Sequence, residues 1–396
     1  MAVPKWKFIL VNSKDLSEIG ELHQARDKSL NLALNTPGSA SFTYSFEGNL
    51  AADIEPISTG VMAYRKGSTD SYKLVWSGYI NEIAEDVTNA TMTVSAVGWF
   101  ERLNKRIARA DLVYKSKYDN NIIISNGMST ASGSCASGIL PVANLIATAS
   151  GYTIAEDSMI VVQGSSPNTP TWMTPGAYYS GMRGENGTAS GASMQDLSIK
   201  QDASFGEAIM TLVNQENGCD VEVDPETREL NVYGKKGSVK SDVWFGFNWG
   251  PENIQNFSNQ ISTADLANYL VGRASATTPQ AIYSDNESIN SYGIFEDSLN
   301  ITLKTSSTQV LAFYTAAEYF FRSMPDRSHT ISPYPYTIGS SVPEPFEAYN
   351  IGDIVKFRAV REPRIDIEGS FRVFGISLSI SNDGNENIDN LAIYAS

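Results

Sequence analysis

Apolar and small polar residues alternate along much of the first hundred residues. This period of two is typical of strands with one buried face. It predicts strands at residues 39–46, 61–65, 72–83 and 91–97. Gly78 is expected to form a bulge or bend in the third strand. Residues 99–107 follow a helical period instead, with Phe100, Leu103 and Ile107 on one face. The pattern predicts a small barrel or sandwich.

The next segment carries very little charge. A helix is predicted at residues 141–149, with Pro141 in its first turn. Residues 163–193 are rich in Gly, Ser, Thr and Pro, and this stretch is longer than compact domains usually tolerate without structure. It is either a mobile surface loop or an arm laid against another chain. The segment contains aromatic residues, which favour the arm, and three of them are the candidate inter-chain contacts: Trp172, Tyr178 and Tyr179.

A small α/β module is predicted after this segment. Ser204 and Glu207 have the spacing of a capping box, so a helix is expected to begin there and end near Gly218. Residues 219–223 and 229–233 then read as a hairpin across a turn that contains Pro225.

The last 140 residues return to strand patterns around one helix. That helix is predicted at about 308–323 and is ended by Pro325. Residues 350–357 read as a turn and strand, and residues 371–380 and 388–394 as a hairpin.

The chain is therefore predicted to be mainly β with an α/β insert. We expect a first tube-like β-barrel at residues 1–107 and a middle α/β domain at 108–256 that carries the 163–193 arm. A second tube-like barrel is expected at 257–396, interrupted by a helical insert at 306–345. The two barrels are expected to share one fold.

Composition narrows the classes of protein. The 396 residues include 42% hydrophobic and 18% charged side chains, and no 18-residue apolar run is available to span a membrane. No signal peptide is recognised, and two cysteines cannot build a disulfide framework, so synthesis in a reducing cytoplasm is expected. The net charge is −15. Residues 1–132 are neutral, so residues 133–396 carry all of it, and specific nucleic-acid binding is not expected.

Few residues are available for catalysis or metal binding. The chain has two histidines, His23 and His329, and both are expected at the surface or in loops. Cys135 and Cys219 are expected to be ordinary small residues. No zinc-protease, phosphate-loop, nucleophile-elbow or dinucleotide motif is present, so no cofactor, metal or catalytic residue is assigned and an enzyme is not expected. Glycoside hydrolysis by a pair of carboxylates remains an open alternative, because the chain has many Asp and Glu residues.

The order of these elements resembles the tail hub, or minor tail, proteins of long-tailed bacteriophages, which are related to contractile baseplate hubs and to type VI secretion spike bases. The stretches that carry the resemblance are residues 76–83, 94–103, 203–233, 268–272, 349–355 and 373–380. The resemblance rests on the order and spacing of these stretches along the chain.

The resemblance implies a homotrimer in which two barrels per chain form a pseudo-sixfold ring around the DNA channel. It implies a distal tail protein or tail tube above, the tape-measure protein at the lumen, and a tail fibre, spike or receptor-binding protein below. The location implied is the tail tip of the virion. Some relatives carry a wall-cleaving or carbohydrate-binding domain, and none is recognised after the last hairpin here.

Two alternatives remain at this stage. One is a receptor- or carbohydrate-binding tail protein, which the aromatic 163–193 segment would serve, and the other is a tail-associated cell-wall hydrolase. For the hub, we expect acidic side chains to outnumber basic ones along the lumen, so that DNA slides without binding.

Overall fold

A computed structural model describes most of the chain outside its middle. The described residues are 5–69, 71–105, 112–114, 121–124, 129–131, 161–162, 197–199, 204–213, 220–233, 236–274, 280–301, 315, 322 and 325–395. The predicted helix at 141–149, the 163–193 arm with Trp172, Tyr178 and Tyr179, both cysteines and nearly all of the helix predicted at 308–323 lie outside them. Within the described part the chain is mainly β, as predicted.

Most of the described residues form strands. In the first third they are β1 Lys5–Asn12, β2 Glu18–Glu21, β3 Arg26–Ala33, β4 Ser39–Ser45, β5 Thr59–Lys66, β6 Tyr72–Asp86 and β7 Thr91–Gly98. The middle third has β8 Leu112–Tyr114, β9 Asn121–Ile124, β10 Ser129–Ala131, β11 Val161–Val162, β12 Leu197–Ile199, β13 Asp220–Val223, β14 Glu229–Tyr233, β15 Val239–Phe247 and β16 Ile254–Ser262. The remainder are β17 Tyr269–Ala274, β18 Gln280–Ser284, β19 Glu296–Ile301, β20 Asp326–Pro333, β21 Ile354–Arg361, β22 Ile365–Ile380 and β23 Glu386–Ala395.

The described helices are short. They are the 3-10 turn Ala51–Asp53 and the helices α1 Glu101–Asn104, α2 Phe205–Val213 and α3 Asn286–Tyr292. The Ser204 hydroxyl accepts a hydrogen bond from the Glu207 backbone N–H (3.3 Å), which confirms the predicted cap of α2. Helix α1 is one turn long, shorter than predicted.

One 13-stranded sheet dominates the fold. Its order is β16-β20-β23-β22-β3-β4-β7-β6-β5-β1-β2, and β21 and β15 branch from β22. Strands from both ends of the chain therefore share a single sheet, because β22 pairs with β3. No sheet among the described strands closes on itself, so the two separate barrels expected from the sequence are not seen as closed barrels.

Twelve of the thirteen strands of the large sheet form two sets of six with the same order, and the remaining strand, β2, pairs with β1. In the N-terminal set (β1 and β3–β7) the order is β1-β5-β6-β7-β4-β3. In the C-terminal set (β15, β16 and β20–β23) it is β15-β21-β22-β23-β20-β16. If the strands of each set are numbered one to six along the chain, their order across the sheet is 1-4-5-6-3-2 in both sets. The sets differ at their first strand, since β1 is antiparallel to β5 whereas β15 is parallel to β21.

Both sets bury aromatic and aliphatic side chains in one core. Phe8 and Phe42 from the N-terminal set belong to the same buried cluster as Phe245 and Phe357 from the C-terminal set. Strand β7 shows how the sequence produces this arrangement, because every second residue along it is buried. Burying that much apolar area in one cluster stabilises the two sets as a unit.

Two sequence predictions need correction here. Gly78 pairs regularly with Val61 and Gly98, and the irregularities of β6 lie on either side of it, the later one at Asn81. A Cβ at Gly78 would lie 2.2 Å from the Val97 carbonyl oxygen, so glycine is needed there for close packing instead. The insert predicted to be helical at 306–345 contains β20, a strand of the large sheet.

Candidate functional site: the junction of the two strand sets

The two sets meet where β22 changes partner. Residues 365–372 of β22 pair with β21, and residues 375–380 pair with residues 28–33 of β3. Phe374 is the bulged residue between the two segments, and its carbonyl oxygen accepts a hydrogen bond from the Leu34 N–H (2.7 Å). This pairing of β22 with β3 is called the internal junction below.

The two faces of the internal junction differ in polarity. On the core face Ile376 lies opposite Leu32, and both side chains are buried. On the other face the Ser377 hydroxyl donates to Asn31 Oδ1 (2.8 Å). The alternation of apolar and polar residues in both strands therefore fixes the register, because a slip by one residue would reverse the faces.

A buried ionic cluster fastens the sets beside this junction. Arg65 Nε and Nη2 bind the two carboxylate oxygens of Glu386 at 2.8 and 2.7 Å. Arg65 Nη1 donates to Glu344 Oε1 at 3.1 Å. Trp6 Nε1 donates to Glu386 Oε2 (2.8 Å), and the Tyr336 hydroxyl donates to Glu344 Oε2 (2.9 Å). The residues lie in β1, β5, β23 and the segment before β21, so the cluster joins both sets.

The cluster holds one cation and two carboxylates away from water. The side chains of Arg65 and Glu386 are each 2% exposed. Burial opposes ionisation of Glu344, but hydrogen bonds from Ser68, Tyr336 and Arg65 outweigh it and hold the pKa of this carboxyl below its usual value. Burial likewise acts against the charge of Arg65, but Glu386 and Glu344 raise its pKa above the ordinary value. Arg65 and Glu344 are therefore charged in the folded chain.

The middle hairpin, formed by β13 and β14, docks on the same region. Asp220 at its start pairs with Arg372 of β22, and both are buried. Asp220 also accepts from the Lys236 backbone N–H (2.5 Å) and from Asn35 Nδ2 (3.2 Å). One carboxylate thus links the hairpin to β22 and to the turn after β3. The hairpin itself was predicted from the sequence, but these long-range contacts were not.

The turn of the middle hairpin also contacts the N-terminal set. The Ser77 hydroxyl donates to the Pro225 carbonyl (2.5 Å), and Trp99 Nε1 donates to the Ser77 hydroxyl (2.7 Å). The Arg228 guanidinium lies 5.6 Å from the centre of the Trp99 ring and donates to the carbonyl of Ser13 (3.1 Å). Together with the contacts of Asp220, these bonds hold the hairpin at both ends.

A cleft of about 280 Å³ lies where the three regions meet, with Trp76 and Trp99 among its lining residues. Its charged side chains are already paired with each other or with the ionic cluster. The ion pairs are Lys73 with Glu347 (2.6 Å), Lys236 with Glu222 (2.7 Å) and Arg65 with Glu344 and Glu386. The cleft is thus built from structural contacts.

Of the two histidines, which were predicted to lie at the surface or in loops, one is placed differently. His23 is exposed, as expected, but His329 is buried in β20 and its ring packs against Phe257, Phe357 and Phe371. Burial, assisted by Arg327, lowers the pKa of His329 and favours its neutral form. Among the residues that the structure describes, no group of three potential ligands could hold a metal ion. No helix in that part of the chain is long and apolar enough to cross a membrane.

No protein-family model and no curated protein matches the sequence. Solved structures do match the fold, over nearly their whole length. The 43 kDa tail protein of prophage MuSo2 from Shewanella oneidensis superposes with a TM-score of 0.57 at 12% identity, covering 98% of each chain. The tail protein from Neisseria meningitidis MC58 gives 0.57 at 11% identity, covering 99% of this chain and 97% of the other. Prophage tail protein gp18 from Listeria monocytogenes EGD-e gives 0.52 at 10% identity, with 98% and 94% covered. The chain therefore has the fold of phage tail proteins.

Proposed function

We propose that this chain is a structural protein of a bacteriophage tail, and specifically the hub of the tail tip. The observation that carries the proposal is the repetition of one six-strand order in two sets joined edge to edge. A chain with two equivalent modules can match a sixfold tail tube with three copies. The fold similarity to phage tail proteins across the whole chain supports the same assignment.

In the proposed assembly each strand set curls into a tube-like barrel module. The first and last strands of the C-terminal set, β15 and β16, contact each other, which supports this curvature. Three copies would then form a pseudo-sixfold homotrimeric ring around the DNA channel. Closed rings of identical contacts are the usual outcome of head-to-tail assembly when the rotation closes.

The partners follow from this position. The ring would bind the distal tail protein or tail tube on one side and a tail fibre, spike or receptor-binding protein on the other, with the tape-measure protein at its lumen. The chain would act without catalysis, cofactor or metal. The ionic cluster fits this role, because a tight link between the two modules would keep their relative orientation fixed under load.

The polar face of the large sheet is the candidate channel lining. Small polar side chains bond across it, with Ser29 to Ser41 (2.9 Å), Ser377 to Asn31 (2.8 Å) and Ser379 to Asp389 (3.1 Å). The acidic residues on this face include Glu82 and Asp86 of β6, which lie opposite Ser95 and Thr91 of β7. A basic residue, Arg26, lies opposite Thr43 at the start of β3. A surface of hydroxyls with a small acidic excess offers phosphates little to bind.

The test is the mass and shape of the purified full chain, alone and with a candidate tail-tube protein. The proposal predicts a trimer that forms rings in electron micrographs and stays bound to the tube protein. A monomer that binds neither itself nor a tail protein would contradict it. Activity against cell walls by such a monomer would favour the hydrolase instead.

A further inference from the structure

Within the described part of the chain, no strand forms hydrogen-bonded pairs with the outer side of β16, although β16 contacts β15. The partner of β16 on its other side is β20, and β16 ends the strand order. The nine residues of β16 contain no charged residue and no proline. Proteins usually protect long edge strands with such residues, because an unprotected edge is a template for another strand.

The second half of β6 is also open on one side. Residues 72–79 pair with β5, and Ile80 O then accepts the Ile57 N–H (2.7 Å). Residues 82–86 continue to pair with β7, but no described strand lies on their other side. Among the described strands, each set thus has an unpaired edge of this kind: β16 in the C-terminal set and the second half of β6 in the N-terminal set.

The internal junction shows how the second half of an equivalent strand is paired. Strand β22 holds the same place in its set as β6, and the two match in detail. In β22 the Val373 carbonyl oxygen accepts a hydrogen bond from the Gly352 N–H (2.8 Å), and in β6 the Ile80 carbonyl oxygen accepts one from the Ile57 N–H. The next residue of each strand, Phe374 or Asn81, forms a bulge. After its bulge β22 pairs with β3. The strand that holds the place of β3 in the other set is β16.

We propose that residues 82–86 of β6 pair with residues 258–262 of β16 from a second copy of this chain, antiparallel, as β22 pairs with β3. The inference deepens the proposed function, because it names the contact between copies of the ring. The strand equivalences fix the register. Counting across the sheet, Leu30 pairs with Ala40 in the N-terminal set and Asn259 pairs with His329 in the C-terminal set, so Leu30 and Asn259 hold equivalent positions. Applying the register of the internal junction to these positions places Ile83 opposite Ile261 and Ala84 opposite Gln260.

Side-chain exposure agrees with this register. Leu32 is 7% exposed at the internal junction, whereas Ile261, the matching residue on the free edge, is 51% exposed. Its predicted partner Ile83 packs on the edge of the core and is half-buried, whereas the matching Ile376 is buried. The proposed pairing would bury both isoleucines as the internal junction buries its pair.

The hairpin tips give independent support. The tip between β22 and β23 packs on the N-terminal set, where Gly384 O accepts the Trp6 N–H (3.3 Å). The matching tip between β6 and β7 carries Val87, which is 77% exposed. In addition, the buried atoms Asn259 Oδ1 and His329 Nδ1 have no hydrogen-bond partner among the described residues. In the proposed register Glu85 of the second copy stands opposite Asn259, next to this incompletely bonded pair.

Cysteine cross-linking tests the register directly. With Cys135 and Cys219 replaced by serine, chains carrying Ala84→Cys are mixed with chains carrying Gln260→Cys and oxidised. At the matching internal pair the Ser377 and Asn31 side-chain oxygens are 2.8 Å apart, and neighbouring strands place such Cα atoms within disulfide range. We expect a cross-linked dimer in the mixture and none in either variant alone. Thr93→Cys is the matched control, because Thr93 lies opposite Ala84 on β7, an interior strand.

The outcomes separate this contact from the proposed function. No dimer from the Ala84→Cys mixture, or as much from Thr93→Cys, would overturn the contact. If the chain is nevertheless a ring-forming trimer, the hub proposal stands with a different interface. A specific cross-link without closed rings would keep the contact and overturn the ring. A chain that stays monomeric at its highest soluble concentration and does not cross-link would contradict both.

A second pair of variants tests the contact without cysteines. Ile261→Lys should weaken self-association at least tenfold, about 1.4 kcal/mol, and leave thermal stability unchanged. Ile282→Lys is the control, because Ile282 is equally exposed on the small β17–β19 sheet, away from the proposed contact. Equal effects of both substitutions on association would overturn the proposal.

Discussion

The substitution Arg65→Met should destabilise the fold strongly. It would remove the one cation of the ionic cluster and leave the carboxylates of Glu386 and Glu344 buried, held only by hydrogen bonds such as those from Trp6 and Tyr336. Removing one partner of a buried ion pair typically costs about 3–5 kcal/mol, because the remaining charge is desolvated without compensation. We therefore expect the free energy of unfolding to fall by about that amount at neutral pH.

The pH dependence gives this prediction a second, sharper form. The pKa of Glu344 is lowered in the folded chain, so its stabilising contribution is present above its unfolded pKa of about 4.3 and is lost as the pH falls through the folded value. In the Arg65→Met variant Glu344 loses the hydrogen bond from Arg65 while its burial remains, so protonation of this carboxyl group lowers the cost of burying it. The difference between the two proteins should therefore shrink as the pH is lowered from neutrality towards about 4.5.

The assay is denaturant unfolding followed by tryptophan fluorescence at neutral and acidic pH. Lys73→Met is the matched control, because the Lys73 side chain is 52% exposed in its pair with Glu347 and its loss should cost about 0–1 kcal/mol. The reasoning is refuted if Arg65→Met costs no more than Lys73→Met at neutral pH. It is equally refuted if the cost of Arg65→Met does not change with pH.

Three further predictions address the hairpin, the sheet and the arm. Asp220→Ala should leave Arg372 buried without its carboxylate and release the middle hairpin, which faster proteolysis of residues 224–228 would reveal. Gly78→Ala should destabilise the fold by about 1–3 kcal/mol, because the added Cβ meets the Val97 carbonyl, and a thermal melt without a downward shift would contradict this. Trp172→Ala should weaken assembly more than thermal stability if the 163–193 arm packs on a neighbouring chain; normal assembly with a lowered melting temperature would place Trp172 in an internal core.

The sequence predicted the strands that have one buried face. Strands β4, β6 and β7 and the β22–β23 hairpin lie where alternation indicated them. Strand β1 was missed because it is buried on both sides. Phe8 and Leu10 lie in the main core, whereas Ile9 and Val11 pack in a second cluster, so no alternation is visible. Strand β3 was missed because it is polar and its pairing shifts register.

The junction itself could not be predicted from the sequence. The residues of the ionic cluster are hundreds of positions apart, and each alone resembles a surface residue. His329 shows the same limit, since its neighbours along the chain are polar while its aromatic contacts come from other strands. Local sequence patterns predict individual strands and helices, but tertiary packing decides which strand edges pair with each other. Two modules of one fold were expected from the sequence, but which strands of the two sets are equivalent appears only when the pairing order is known.

A tail-tip hub of this kind needs one chain to supply two equivalent modules to a closed ring. Class averages of the purified full chain, viewed along the ring axis in electron micrographs, would show this arrangement. We expect three copies arranged as six similar lobes around an open channel. Single copies, open filaments or rings whose lobes do not number twice the chains would contradict it.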